Sequence, residues 1–255
     1  HEMYRLPEQG RSARGTPVAT FLELGNDENV QKMFTSEEIQ EADSLAMAME
    51  NGRIKRTDTE EFDRIYNSGL RAVNLSDGDS VAEVALANDT DTAILSAKNG
   101  RTIFFDMEEV PKTGRNTKGV NGMKVGDSKV VSLSCFSTET DTETTSLLTL
   151  TENGYGKRTL LEKFPVQSRY GKGSTDIKTG SRNGAITTSL VVDETDEIIL
   201  STSGGKVLRT KADEIKCVSR NTKGVSVMDG DGDTIVGSDV LVQLEAEDDE
   251  ESDSE

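Results

Sequence analysis

Residues Glu152 to Lys178 read ENGYGKRTLLEKFPVQSRYGKGSTDIK. The short apolar run LLTLT, residues 147–151, leads into them and ends at the pair Asn153-Gly154. A type I′ hairpin needs positive φ at both central residues, and Asn-Gly supplies that most readily, so the spacing predicts two antiparallel strands joined there. Ten residues past Gly154 stands the apolar Phe164, followed by proline. Nine residues further, Gly173 closes the pattern R-x-x-K-G that begins at Arg169.

Outward from this stretch the same arithmetic returns. Asn51-Gly52 follows LAMAM, Asn99-Gly100 follows AILSA and Gly204-Gly205 follows IILST. Each turn glycine is followed after ten residues by an apolar anchor, Phe62, Val110 or Ile215. The R-x-x-K-G pattern recurs as Arg115 to Gly119 and Arg220 to Gly224; the copy after Phe62 is shorter and reaches Gly69. Near the start, Leu6-Pro7 and Arg11 to Gly15 repeat the second half of the unit, whose hairpin would precede His1, so the first unit reads as incomplete. A period of about fifty residues is the mark of a repeat architecture.

Each unit reads as strand, tight turn, strand, glycine loop, strand, acidic turn and strand. The acidic turns are Ser76-Asp77-Gly78-Asp79, Gly126-Asp127-Ser128 and the run Asp229 to Asp233. First strands such as AILSA and IILST are apolar on both faces, as expected of sheets stacked face to face in a propeller. Ser36 to Met49 competes as a helix, since S-E-E-I-Q-E imitates a helix start. Ser36 to Asp43 reads as a loop, because Leu45, Met47 and Met49 alternate directly before the Asn51-Gly52 turn. The expected organisation is all-β: a partial blade over 1–43, blades over 44–91, 92–145, 146–196 and 197–244, and a disordered acidic tail over 245–255.

Composition narrows the chemistry. The only histidine is His1 and the two cysteines, Cys135 and Cys217, lie far apart, so neither a zinc-type cluster nor a histidine triad can be assembled. Each cysteine is expected to be a structural thiol. No stretch approaches the roughly 18 apolar residues of a membrane span and no leader is legible, so the chain is expected to be cytoplasmic and to contact no membrane. Net charge is −18, of which eight acids fall in the last eleven residues; without them the body carries −10. Such acidity argues against a polyanion partner unless the basic residues are locally arranged. It also suits a protein of a high-salt cytoplasm.

The combination of N-G-x-x-K-R-T, the ten-residue step and R-x-x-K-G resembles the repeat of the C-terminal domain of DNA gyrase A and of its relative in topoisomerase IV. Similarity runs from Tyr4 to about Leu244 and is strongest in Glu152 to Lys178 and in Tyr4 to Val18. The resemblance implies a β-pinwheel, propeller-like, six-bladed in the family and here about four and a half blades, in which a strand of each unit completes the neighbouring blade. It implies a part of an ATP-dependent type IIA topoisomerase that carries out no catalysis itself and needs no cofactor. The implied partners are duplex DNA along a basic outer rim, the rest of gyrase A and, through it, gyrase B, with a nucleoid-associated location. Full-length later blades and the acidic tail favour gyrase as the parent. The family's wrapping signature Q-R-R-G-G-K-G is matched at five of seven positions by Gln167 to Gly173, which reads as an ordinary blade loop.

Two sets of basic residues are the DNA-binding candidates. Lys55, Arg56, Arg101, Lys157, Arg158, Lys206 and Arg209 lie on the strand leaving the hairpin. Arg11, Arg14, Arg115, Lys118, Arg169, Lys172, Arg220 and Lys223 lie in the loop. Repeated radially, such cations can neutralise successive phosphates, and the loop glycines can bring backbone N–H groups close to them. The competing reading is that these are solvated loops whose glycines only satisfy turn geometry and whose cations pair with Glu60, Glu61, Glu108, Glu109 or Glu214 nearby. No aromatic ladder accompanies them, which favours duplex over single strands and predicts low sequence specificity.

Arg169-Tyr170 imitates the cleavage-site pair of type IIA topoisomerases but reads as a loop tyrosine. Asp229 to Asp233 opens like a calcium loop but lacks the required glycine and glutamate, having Thr234 and Val240 instead. The acidic tail is expected to compete with DNA for the basic rim. The alternative function is a propeller-type protein-interaction scaffold.

Overall fold

The computed structural model describes residues 28–64, 69–229 and 232–241, together with Thr16, Thr20, Leu22 and Leu24. Arg11, Arg14, most of the expected partial blade and the acidic tail lie outside the described residues.

Four hairpins start the four repeats: β1 (Ser44–Met49) with β2 (Arg53–Asp58), β4 (Thr92–Ala97) with β5 (Arg101–Asp106), β8 (Ser146–Thr151) with β9 (Tyr155–Leu160), and β12 (Glu197–Thr202) with β13 (Val207–Lys211). Their turns are not type I′. Only the glycine has positive φ, +90° at Gly52 and +85° at Gly100, and its N–H donates three residues back, to Met49 O and Ala97 O at 3.0 Å. This is a three-residue loop, a type I turn closed by a left-handed glycine. Asparagine serves it as an acceptor rather than through positive φ, since Asn51 Oδ1 receives the Arg53 N–H at 3.0 Å and Asn99 Oδ1 the Arg101 N–H at 3.3 Å.

The last long strand of each repeat, β3 (Val81–Ala87), β7 (Val130–Phe136), β11 (Ile186–Val192) or β15 (Ile235–Leu241), pairs antiparallel with the first strand of its hairpin. The short strands β6 (Val120–Asn121), β10 (Ser174–Thr175) and β14 (Val225–Ser226) follow the R-x-x-K-G glycines. Each joins the sheet of the preceding repeat, giving the orders β3-β1-β2-β6, β10-β5-β4-β7 and β11-β8-β9-β14. The fourth sheet, β13-β12-β15, has three strands among the described residues. This is the strand exchange of a β-pinwheel. The first two sheets belong to one compact unit and the last two to a second.

The exchange explains the loop glycine. Gly119 has φ +70°, and a Cβ there would sit 2.3 Å from the Ile54 carbonyl oxygen of the sheet it joins. Gly173 repeats this at +64° and 2.5 Å from Thr102 O. These glycines therefore admit a neighbouring strand, where the sequence had suggested room for a phosphate.

The constant ten-residue step has a cause that the strand–loop reading omitted. A single 3₁₀ turn follows the hairpin, and Val110, Phe164 and Ile215 each donate N–H to the residue three before, Met107, Leu161 and Ala212, at 2.9 to 3.0 Å. The turn delivers each of these anchors into the core, at 5% exposure or less. β4 and β8 are buried along their whole length, as expected, whereas β12 alternates buried and half-buried residues. One core gathers Ile54, Leu95, Ile103, Phe105 and Met123 within the first unit; another gathers Leu148, Leu150, Ile198 and Leu200 within the second. Each fully buried side chain of this size contributes roughly 1.5–3 kcal/mol.

Ser36 to Asp43 is not the loop expected. Ser36–Glu41 forms a short helix, α1, started by a capping box in which Thr35 Oγ1 accepts from Glu38 N and the Glu38 carboxylate accepts from Thr35 N. The alternation of Leu45, Met47 and Met49 is equally real, but it begins after the helix has ended.

Cys135 sits in β7, where burial and the nearby Asp91 carboxylate push its thiol well above the ordinary range. Cys217 is exposed and free.

Candidate nucleic-acid interface

The strand cations divide sharply. Lys55, Arg56, Lys157 and Arg158, expected on a DNA-facing rim, are at most 5% exposed. Strands β2 and β9 are buried on both faces over these residues, so their charges are satisfied inside. Arg158 Nε donates to Ile215 O at 2.9 Å, Arg56 Nε donates to Val110 O, and their guanidinium groups reach Glu194 and Asp89. Each arginine thus grips the anchor carbonyl of the following repeat. Lys55 Nζ donates to Ala72 O at 2.8 Å and to Thr57 Oγ1, and burial lowers its pKa. These four are corrected from surface contacts to core groups.

Arg209 is exposed but paired with Glu197, and Lys206 is exposed at the fourth hairpin. Arg101 is half-buried and has a different task. Its Nε donates to Lys172 O at 2.9 Å and its Nη2 to Gly173 O at 2.6 Å. Arg53, absent from the sequence candidates, does the same one repeat earlier, with Lys118 O at 3.1 Å and Gly119 O at 2.6 Å. In the third copy Tyr155 replaces this arginine, and Asn183 Nδ2 donates to Lys223 O at 3.2 Å instead. The signal was available, because Arg53 and Arg101 both directly follow a hairpin glycine.

Within the R-x-x-K-G loops the arginine faces inward and the lysine outward. Arg115 meets Glu61, and its own N–H donates to the same carboxylate. Arg169 donates from Nε to Glu109 O at 3.0 Å and from Nη1 to Asn121 O at 2.9 Å. Arg220 lies over the Phe164 ring, 5.7 Å from its centroid. Lys118, Lys172 and Lys223 are exposed, and their ammonium groups have no partner among the described residues. Lys124 and Lys178, each five residues past a loop glycine, are exposed in the same way. They were missed because Asp229 breaks that periodicity in the next copy.

Around the second loop the backbone is fixed closely. Tyr170 and Asn221 occupy the same step of successive loops with φ of +66° and +64°. Such a conformation costs an L-residue roughly 1–2 kcal/mol. Tyr170 is nonetheless half exposed.

Among the described residues no group of three or more His, Cys, Asp or Glu side chains is arranged to hold a metal, and no helix is long and apolar enough to cross a membrane.

The family described as DNA gyrase C-terminal domain, beta-propeller, matches residues 3–37, 43–88, 91–137, 145–193 and 196–241. The chain belongs to this family. The last four matched segments of the gyrase C-terminal domain each cover one hairpin and the long strand that ends its repeat, so the family's period coincides with the repeat. The chain is 37% identical over 255 residues to DNA gyrase A of Salmonella typhimurium strain LT2, covering 99% of this chain and 28% of that protein. Against gyrase A of Haloquadratum walsbyi it is 36% identical over 241 residues, 92% of this chain and 28% of the other. The chain thus spans about a quarter of the length of these relatives. A solved DNA gyrase A C-terminal domain superposes with a TM-score of 0.80 at 26% identity, covering 90% of this chain and 76% of the other. The C-terminal domain of a DNA topoisomerase IV gives 0.79 at 22% identity, covering 89% and 70%, a likeness of fold.

Proposed function

We propose that this chain binds duplex DNA through the lysines of its K-G turns, bends it with little sequence preference, and within an assembly of gyrase A with gyrase B presents a segment for strand passage in negative supercoiling. The observation that carries the reading is the pair of arginine clamps. Arg53 and Arg101 each hold both carbonyls of a K-G turn, and Lys118 and Lys172 extend from those turns, exposed and with no ammonium partner among the described residues. Fixing the turn backbone lowers the entropy cost of placing a cation on a phosphate. Contacts confined to phosphates carry register and affinity but no base information. The catalytic chemistry of strand breakage belongs to other parts of the enzyme in this reading.

A gel-shift titration of a duplex against salt tests it. Log affinity falls linearly with log salt, by about 0.9 for each phosphate neutralised. Absence of binding at low salt overturns the proposal and leaves the protein-interaction scaffold.

A further inference from the structure

We propose that Tyr170 is a DNA contact of a different kind from the lysines beside it, an uncharged aromatic face laid against the sugar–phosphate backbone of the duplex. The inference rests on the DNA-binding reading of the K-G loops.

The motive is a side chain that the fold does not need. Tyr170 and Asn221 are the non-glycine residues with positive φ among the described residues. Asparagine is the side chain that tolerates this region best, whereas a bulky aromatic there is an outlier. The loop forces the conformation from the backbone side. Tyr170 N donates to Gly122 O at 2.5 Å, Lys124 N donates to Gly171 O at 2.9 Å, and Arg169 is held by Glu109 and Asn121. A Cβ on Gly171 would lie 3.2 Å from Ile103 Cδ1, so the inner side of the turn is full. The tyrosine ring projects from this fixed turn, 50% exposed, and among the described residues it has no ring contact and its hydroxyl no hydrogen bond. Among the described residues no ring contact and no hydrogen bond of the hydroxyl holds the exposed half of this side chain.

Its surroundings account for it better. Lys172 follows two residues on, and the Lys124 N–H donates to Gly171 O, so the backbones of two exposed lysines, whose ammonium groups have no partner among the described residues, adjoin the turn. A tyrosine offers a large rigid surface for deoxyribose and a hydroxyl for a phosphate oxygen. Being uncharged, it adds affinity without releasing counterions.

The test is fluorescence anisotropy of a short duplex with the 255-residue chain across a salt series, for the wild type, Tyr170→Asn and Lys172→Gln. Asparagine is chosen because Asn221 already makes this turn. Tyr170→Asn is expected to bind roughly three- to tenfold more weakly at every salt concentration, with the log–log slope and the melting temperature not lowered. Lys172→Gln is expected to reduce the slope. Tyr170→Gly, which removes the backbone strain, is expected to reproduce the affinity loss and so to separate it from stability. Binding of Tyr170→Asn within a factor of about two of a wild type that itself binds overturns the inference alone. A wild type that does not bind at low salt overturns the DNA-binding reading and this inference with it.

Discussion

Lys157 Nζ lies 2.8 Å from Asp176 Oδ1, and both side chains are completely buried. Thr149 Oγ1 donates to the other carboxylate oxygen at 2.6 Å, and Lys157 also donates to Thr159 Oγ1 at 2.7 Å. The same two steps of the repeat are Leu208 and Val227 in the fourth copy, and Ile103 and Gly122 in the second. A buried ion pair and an apolar pair therefore fill one position of one architecture, and basicity on this strand says nothing about DNA.

Breaking that pair is expected to be costly and replacing it is not. Removing one partner strands a buried charge, which costs about 3–5 kcal/mol, whereas an apolar pair of similar volume is often neutral. Lys157→Leu alone is expected to lose stability of that order in urea denaturation. Lys157→Leu with Asp176→Val, copying Leu208 and Val227, is expected to recover most of it. A single variant as stable as the wild type contradicts the assignment.

The loop glycine gives a second expectation. Gly173→Ala combines a left-handed φ with a Cβ only 2.5 Å from Thr102 O, in backbone that cannot swing aside. A destabilisation above about 1 kcal/mol is expected from thermal unfolding. Gly180→Ala, where a Cβ meets nothing within 4 Å and φ is not positive, is the control. It is expected to stay within about 0.5 kcal/mol of the wild type.

Lys55 predicts a pH dependence. Burial lowers its pKa, the Glu61 charge opposes the shift and Arg115 adds to it. Between the lowered folded value and the ordinary lysine value of 10.5, the unfolded chain holds the extra proton. Stability from this group therefore rises with pH through that window. Relative to Lys55→Met, the wild type is expected to gain unfolding free energy as pH is raised toward 10.5. A flat difference between the two pH profiles contradicts the burial of this charge.

The repeat was legible because turn glycines, anchors and R-x-x-K-G loops keep fixed spacing, and each has a backbone cause: a left-handed turn, a 3₁₀ step and a close strand approach. Strand exchange followed only from the family resemblance, since nothing local in Val120-Asn121 says which sheet it joins. The site was half legible. Sequence identifies Lys55 and Lys118 alike as cations; only the sheet shows that one faces core and the other solvent. Arg53 and Arg101 were hard to interpret because their partners are backbone carbonyls 65 to 72 residues away. α1 was misread because a capping box and a following strand share one short stretch.

The most direct test of the account compares salt slopes of duplex binding for two variants. Replacing Lys118, Lys172 and Lys223 together by glutamine is expected to lower the slope by about 0.9 for each lysine that meets a phosphate. Replacing buried Lys157 and Asp176 by Leu and Val is expected to leave the slope unchanged. A triple variant with the wild-type slope, or a slope that falls only when the buried pair is replaced, contradicts the claim that the K-G lysines are the cations that meet DNA.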